Sequence, residues 1–230
     1  MAYAICLSYN IENMRPQRKV KIKWSPEFAY AIGLLTTDGN LSKDGRHMDF
    51  TSKDLSLIKL FKKCLGINNK IGRKTRAKSK VKKYYNVQFG DVIFYKFLLG
   101  LGLHPAKSKT LSEIDIPDKH VFDFLRGHLD GDGTFYSYYD PRWKSSFMFY
   151  TVFISASKEH LDWIRNVLLK KLKIKGHMTR NGNRATHHLK YAKSESMELL
   201  QKIYYNSDAV CLKRKRLKIE KALREARLNL

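Results

Sequence analysis

One nine-residue segment occurs twice in this chain, and that repetition limits the available folds more than any other feature. Setting Ala31-Ile-Gly-Leu-Leu-Thr-Thr-Asp-Gly39 above Leu125-Arg-Gly-His-Leu-Asp-Gly-Asp-Gly133 aligns Gly33 with Gly127, Leu35 with Leu129, Asp38 with Asp132 and Gly39 with Gly133, at an offset of 94. Ser52-Lys53-Asp54 recurs as Ser157-Lys158-Glu159 at an offset of 105, and Leu65-Gly-Ile67 recurs as Leu172-Lys-Ile174 at 107. The drift places insertions in the second half between Phe135 and Ser155. The chain reads as a tandem duplication.

Each half runs through the same elements. Ser25 is an N-cap with Pro26 at the first helical position, opening a helix that Gly39 is expected to close. Asp118 is expected to cap the matching helix, which ends at Gly133. Alternating β-branched and aromatic runs follow at 46–51, 84–89, 135–139 and 147–154, with further strand signals at 176–180 and 186–191. Leu55, Ile58, Phe61 and Leu65, like Ile164, Val167, Leu168 and Leu172, recur at helical spacing, and more helices are expected near 92–99 and 196–205. The fold class is therefore mixed α/β, a pseudo-twofold pair of αββαββα units. The boundaries read as an N-terminal extension at 1–23, a first half at 24–104, a linker at 105–117 and a second half at 118–230 that ends in a basic helix.

Forty-five Lys and Arg against twenty-one Asp and Glu leave a formal charge of +24, while 43% hydrophobic residues suffice for a packed core. A folded, self-repelling polycation implies a polyanionic partner, and nucleic acid leads because every neutralised phosphate releases counterions. Three cysteines without a C-x-x-C pair argue against a disulfide framework or zinc site. No signal peptide or membrane span is expected, so the expected location is intracellular, in the cytoplasm or an organelle matrix.

The repeated helices carry small residues four apart, Gly33 with Thr37 and Gly127 with Gly131, a strip that lets two helix backbones approach closely. Asp38 and Asp132 stand in the last turns, where the negative end of the helix dipole disfavours a carboxylate. Two acids that break the same local rule in a duplicated context point to function. Converging carboxylates are hard oxygen ligands suited to Mg²⁺.

The two nonapeptides and the Ser-Lys-Asp and Ser-Lys-Glu helix starts resemble the LAGLIDADG homing endonucleases in their single-chain, two-motif form, over about 24–222. The first copy departs from that pattern with Thr36 and Thr37 where Asp and Ala are usual, and it retains the last acid, Asp38. The resemblance implies two curved antiparallel sheets forming a DNA-binding saddle, with Asp38 and Asp132 at the base of the helix pair as metal ligands and catalytic residues. The carbonyls of Thr37 and Gly131 would assist in holding Mg²⁺, with Mn²⁺ able to substitute and Ca²⁺ supporting binding with little cleavage. By position after the last helix of each half, the assisting bases are Lys107 or Lys109 and Lys213 or Lys215.

The DNA contacts expected on this reading begin with Lys70, Arg73, Lys74, Arg76, Lys78, Lys80, Lys82 and Lys83, a run without an acid, together with Gln88. In the second half they are Arg180, Asn183, Arg184, His187 and Lys190, types able to meet base edges. Arg142 and Lys144 lie in the inserted hairpin beside Tyr136 and Tyr138, whose shared face fits core or DNA equally. The implied partner is a double-stranded DNA site, with no obligate protein partner because both motifs lie on one chain. Intron RNA is a second polyanion that the charge would suit, as in a maturase, and a non-catalytic DNA-binding protein on the same scaffold is a further alternative.

Overall fold

A computed structural model describes residues 18–75, 83–182 and 185–228. Helix α1 (Pro26–Asp38) starts at Ser25, whose Oγ accepts from Phe28 N at 3.1 Å. It leads into strands β1 (Gly39–Leu41) and β2 (His47–Ser52), helix α2 (Leu55–Leu65), strands β3 (Ile71–Lys74) and β4 (Tyr84–Gly90) and helix α3 (Val92–Gly100). The second half repeats the order with α4 (Val121–Gly131), β5 (Thr134–Asp140), β6 (Trp143–Ser155), α5 (Lys158–Leu172), β7 (His177–Asn181), β8 (Thr186–Tyr191) and α6 (Lys193–Ile203), and α7 (Lys213–Leu228) follows. The sheets have the same antiparallel strand orders, β1-β2-β4-β3 and β5-β6-β8-β7, so the duplication extends to topology.

Alternation gives each sheet one face against helices. Met48, Phe50, Val87 and Phe89 point inward in the first half, where the Phe50 and Phe61 rings stack at 4.4 Å. Phe135, Phe149, Phe153 and Leu189 do so in the second, against Leu161, Ile164 and Leu168 of α5. The other face of each sheet is left open.

The ends of the elements add detail to these expectations. Gly39 closes α1 as expected, and its φ of −85° and ψ of 150° also make it the first residue of β1. Asp118 lies in a short 3₁₀ turn and pairs with Lys171 at 3.0 Å, while α4 begins after His120 without a side-chain cap. The 105–117 segment is more than a tether, because Lys107, Leu111, Ile114 and Ile116 are buried. Of the expected extension, Val20 is buried, and the amides of Lys19 and Val20 donate to Asp91 Oδ2.

Candidate active site at the foot of the helix pair

Helices α1 and α4 meet backbone to backbone. A Cβ added at Gly33 would fall 2.2 Å from Phe124 O, and one at Gly127 would fall 2.0 Å from Tyr30 O. Tyr30 and Phe124 are themselves 94 apart, so this is one contact seen from both halves, the signature of a local twofold. One turn on, a Cβ at Gly131 would meet Thr37 Oγ1 at 2.0 Å, while that hydroxyl donates to Leu34 O. Glycine is required at these crossings because no side chain fits between the helices.

The tight crossing carries both acids to one end of the pair. Asp38 is the last residue of α1 and Asp132 the C-terminal cap of α4. Both chains then fold straight back over the final turn, so a Cβ would sit 2.5 Å from Leu35 O at Gly39 and 2.7 Å from Leu129 O at Gly133. Burial, reinforced by the Asp132 charge, pushes the Asp38 carboxyl up to about 7. Burial also raises Asp132, opposed by Lys107 and Lys215, although one edge of this residue stays open to solvent. Each acid borders a cleft: about 390 Å³ lined by Asp38, Thr51, Lys74 and Tyr84, and about 210 Å³ lined by Asp132, Thr37, His128, Ser155 and Thr186.

Two lysines complete the arrangement. Lys107 Nζ donates to Gly39 O and Lys215 Nζ to Gly133 O, the carbonyls that follow the two acids. Lys215 also reaches Leu129 O and Asp130 O. Burial pulls Lys107 down to about 8 against the pull of both acids, and it lowers Lys215 as well. Lys109 and Lys213, the other choices open in the sequence, are exposed. Lys107 and Lys215 are 108 apart, near the last repeat offset of 107, but Lys107 with Lys213 and Lys109 with Lys215 lie 106 apart and fit it as well, so spacing alone does not single out the pair.

The donor set fits a hard divalent cation. Two acceptor-only carboxylates whose proton affinity is raised gain from a shared positive charge, and last-turn carbonyls such as those of Thr37 and Gly131 lack intrahelical donors. Among the described residues no group of three His, Cys, Asp or Glu gathers to hold a metal, so carbonyl, water or substrate oxygen must complete the shell.

Strand phase sorts the expected DNA contacts. On the open face of the first sheet, Asp49, Thr51, Asn86 and Gln88 alternate with the buried positions, and Lys74 pairs with Asp49 at 2.8 Å. Arg73 points to the opposite face and donates to Tyr85 Oη. In the second sheet Tyr136, Tyr138 and Tyr150 form a stacked ladder on the open face, with centroids 5.3–6.4 Å apart. Arg142 at the hairpin tip is exposed and pairs with Asp140. Arg180 and His187 share the face of Leu189, whereas His188 and Lys190 lie on the open side. Sequence reading thus missed His188, which the phase set by buried Leu189 and Tyr191 would have revealed. Lys70 and Lys83 are exposed. Arg76, Lys78, Lys80, Lys82, Asn183 and Arg184 lie outside the described residues, as does the Lys144 side chain.

This architecture is the LAGLIDADG fold. The homing endonuclease I-WcaI bound to its DNA recognition sequence superimposes with a TM-score of 0.57 at 15% identity, over 84% of this chain and 86% of that one. The meganuclease I-SmaMI, bound to an uncleaved DNA target with calcium ions, gives 0.58 at 14% identity over 90% and 93%. Full-length DUF199/WhiA from Thermatoga maritima gives 0.53 at 15% identity, with the match covering 88% of this chain and 61% of that protein. No protein-family model and no curated protein matches the chain by sequence. The likeness establishes the fold, and what the chain does rests on its own site. Among the described residues no helix is long and apolar enough to cross a membrane.

Proposed function

We propose that this chain is a site-specific double-strand DNA endonuclease of the homing type, acting as a monomer and hydrolysing phosphodiester bonds with Mg²⁺ held by Asp38 and Asp132. The observation that carries this reading is the doubled set of an acid at each helix foot and a lysine, Lys107 buried and Lys215 half-buried, on the carbonyl that follows it. A DNA-binding fold alone does not require a buried and a half-buried lysine beside two mutually repelling acids.

In this reading Asp38, Asp132 and the carbonyls of Thr37 and Gly131 hold the cation. When bound, it supplies Lewis-acid polarisation of the phosphate and a lowered proton affinity for bound water. Asp38 and Asp132 share the foot of one helix pair, so each half would offer one acid to one strand of a bound duplex. Lys107 Nζ, drawn to about 8, can hold or release a proton at the carbonyl of Gly39, a residue that lines the 390 Å³ cleft, and Lys215 Nζ occupies the matching place at Gly133 O. The ladder of Tyr136, Tyr138 and Tyr150 with His188 and Lys190 would face the duplex from one half, and Gln88, Asn86 and Lys74 from the other.

The test is a pool of randomised duplexes incubated with protein and Mg²⁺, followed by gel-shift and cleavage assays on the selected site. Asp38→Asn and Asp132→Asn should each lower cleavage by about 10²-fold or more while binding persists. Tight binding to one sequence without cutting, in Mg²⁺ and Mn²⁺ alike, would reassign the chain to DNA binding without catalysis.

A further inference from the structure

Lys107 and Lys215 reach equivalent carbonyls by different routes. Lys107 comes from a 3₁₀ turn in the covalent link between the halves, pinned by buried Leu111. Lys215 comes from the first turn of α7, an element with no counterpart in the first half. An interaction that the first half lacks must therefore set where α7 begins.

We infer that Asp130 is the positioning residue for Lys215. It occupies the repeat position of Thr36, and its carboxylate is buried between the halves. One oxygen, Oδ2, accepts from Tyr30 Oη of α1 at 2.8 Å and from Leu212 N at 2.7 Å. Leu212 is the residue on which α7 starts, because its carbonyl accepts from Lys215 N and Arg216 N. Asp130 thus ties the N-cap of α7 to both paired helices, three residues before the lysine. Buried Arg126, one turn earlier on α4, holds the incoming segment through Ile203 O and Val210 O, both at 2.7 Å. Of the other side-chain ties at this end, Arg214 to Asp54 is largely exposed on the arginine side and contributes little against solvent, Arg216 reaches Asn206 O and Ser207 O in the segment just before α7, and Lys218 donates to Phe135 O three residues beyond Lys215. Thr36, at the equivalent position in the first half, turns its hydroxyl back to Ile32 O and positions nothing. The helix pair therefore locates one lysine through a buried carboxylate and the other through the chain itself.

The inference rests on the proposed nuclease reading only for its effect on cleavage, so the experiment reads the lysines directly as well. Amine acetylation followed by mass spectrometry on the full chain reports Lys107, Lys213 and Lys215 separately, with exposed Lys213 as the fast reference. In Asp130→Leu, of similar size but without acceptors, Lys215 should acetylate about tenfold faster while Lys107 keeps its protection. Asp130→Asn, whose carbonyl can still accept from Leu212 N, should restore Lys215 to near the parent rate. On a cleavable duplex, Asp130→Leu should accumulate nicked product, since only the centre at Asp132 loses its lysine. Equal deprotection of Lys107 and Lys215 would make Asp130 a general structural residue, and unchanged Lys215 would remove it from positioning; either overturns the inference. If Asp130→Leu does not fold, Tyr30→Phe, which deletes one hydroxyl, decides by the same selective or equal deprotection. A parent protein that cuts nothing would refute the nuclease reading and leave the acetylation result standing.

Discussion

Replacing Gly127 with alanine tests the helix pair on which the site depends. The new Cβ would lie 2.0 Å from Tyr30 O, and ordinary contact begins at 3.4 Å, so the helices must part locally by about 1.4 Å. Neither partner can yield by a rotamer change, because the obstacle is backbone on both sides. Overpacking of this kind costs about 3 kcal/mol after relaxation. For a chain of this length that lowers Tm by roughly 6–12 °C. Asp132 lies five residues further along the same helix, so the displacement also separates the acids, and a 1 Å error in such geometry costs on the order of 10²-fold in rate. Thermal unfolding followed by circular dichroism, with cleavage measured well below Tm, gives both numbers. The control is Gly100→Ala at the end of α3, where an added Cβ meets nothing within 4 Å and stability should hold or rise slightly. Gly127→Ala melting with the parent would refute the close crossing and the argument that the crossing places the acids.

Three further outcomes are expected. Light scattering should give a monomer with and without a bound duplex, since both helices of the twofold lie on one chain; an obligate dimer free of DNA would contradict this. Replacing four or more of the bases in 70–83 with alanine should weaken binding to every duplex and reduce the salt dependence by about one counterion per lost phosphate contact, whereas a changed sequence preference at constant salt slope would make them base readers. Acid should destabilise the fold through the buried pair His128 and His160, whose Nε2 atoms are 3.1 Å apart. Burial pulls His160 down to about 4, so the unfolded chain takes up a proton near 6.5 that the folded chain refuses; stability is whole above 6.5 and falls from there towards pH 4, by about 2 kcal/mol at pH 5 from His160 alone. His160→Asn keeps a donor for Ser112 O and should flatten that acid limb of a denaturation series, and an identical limb would exclude the pair as its source.

The duplication, the paired helices and the two acids were legible in the sequence because each is written in local, repeated signals. Glycines four apart state that backbones approach, and an acid before a closing glycine breaks the same rule twice. Other elements were not legible. β1 is three residues long and starts at a glycine that also suits a helix cap, and only pairing of Gly39 with Phe50 makes it a strand. Lys215 and Lys213 are equally basic, equally near the end of the second half and two apart on one helix. Which of them turns inward depends on how α7 docks on α4, and so on Asp130, Tyr30 and Leu212, residues up to 182 positions apart. Sequence by itself determined that two similar halves face each other with a carboxylate each, since periodicity and repetition need no knowledge of contacts. Only tertiary structure decided which lysines turn inward beside those carboxylates and which side chains face outward, because burial and docking are set by elements distant along the chain.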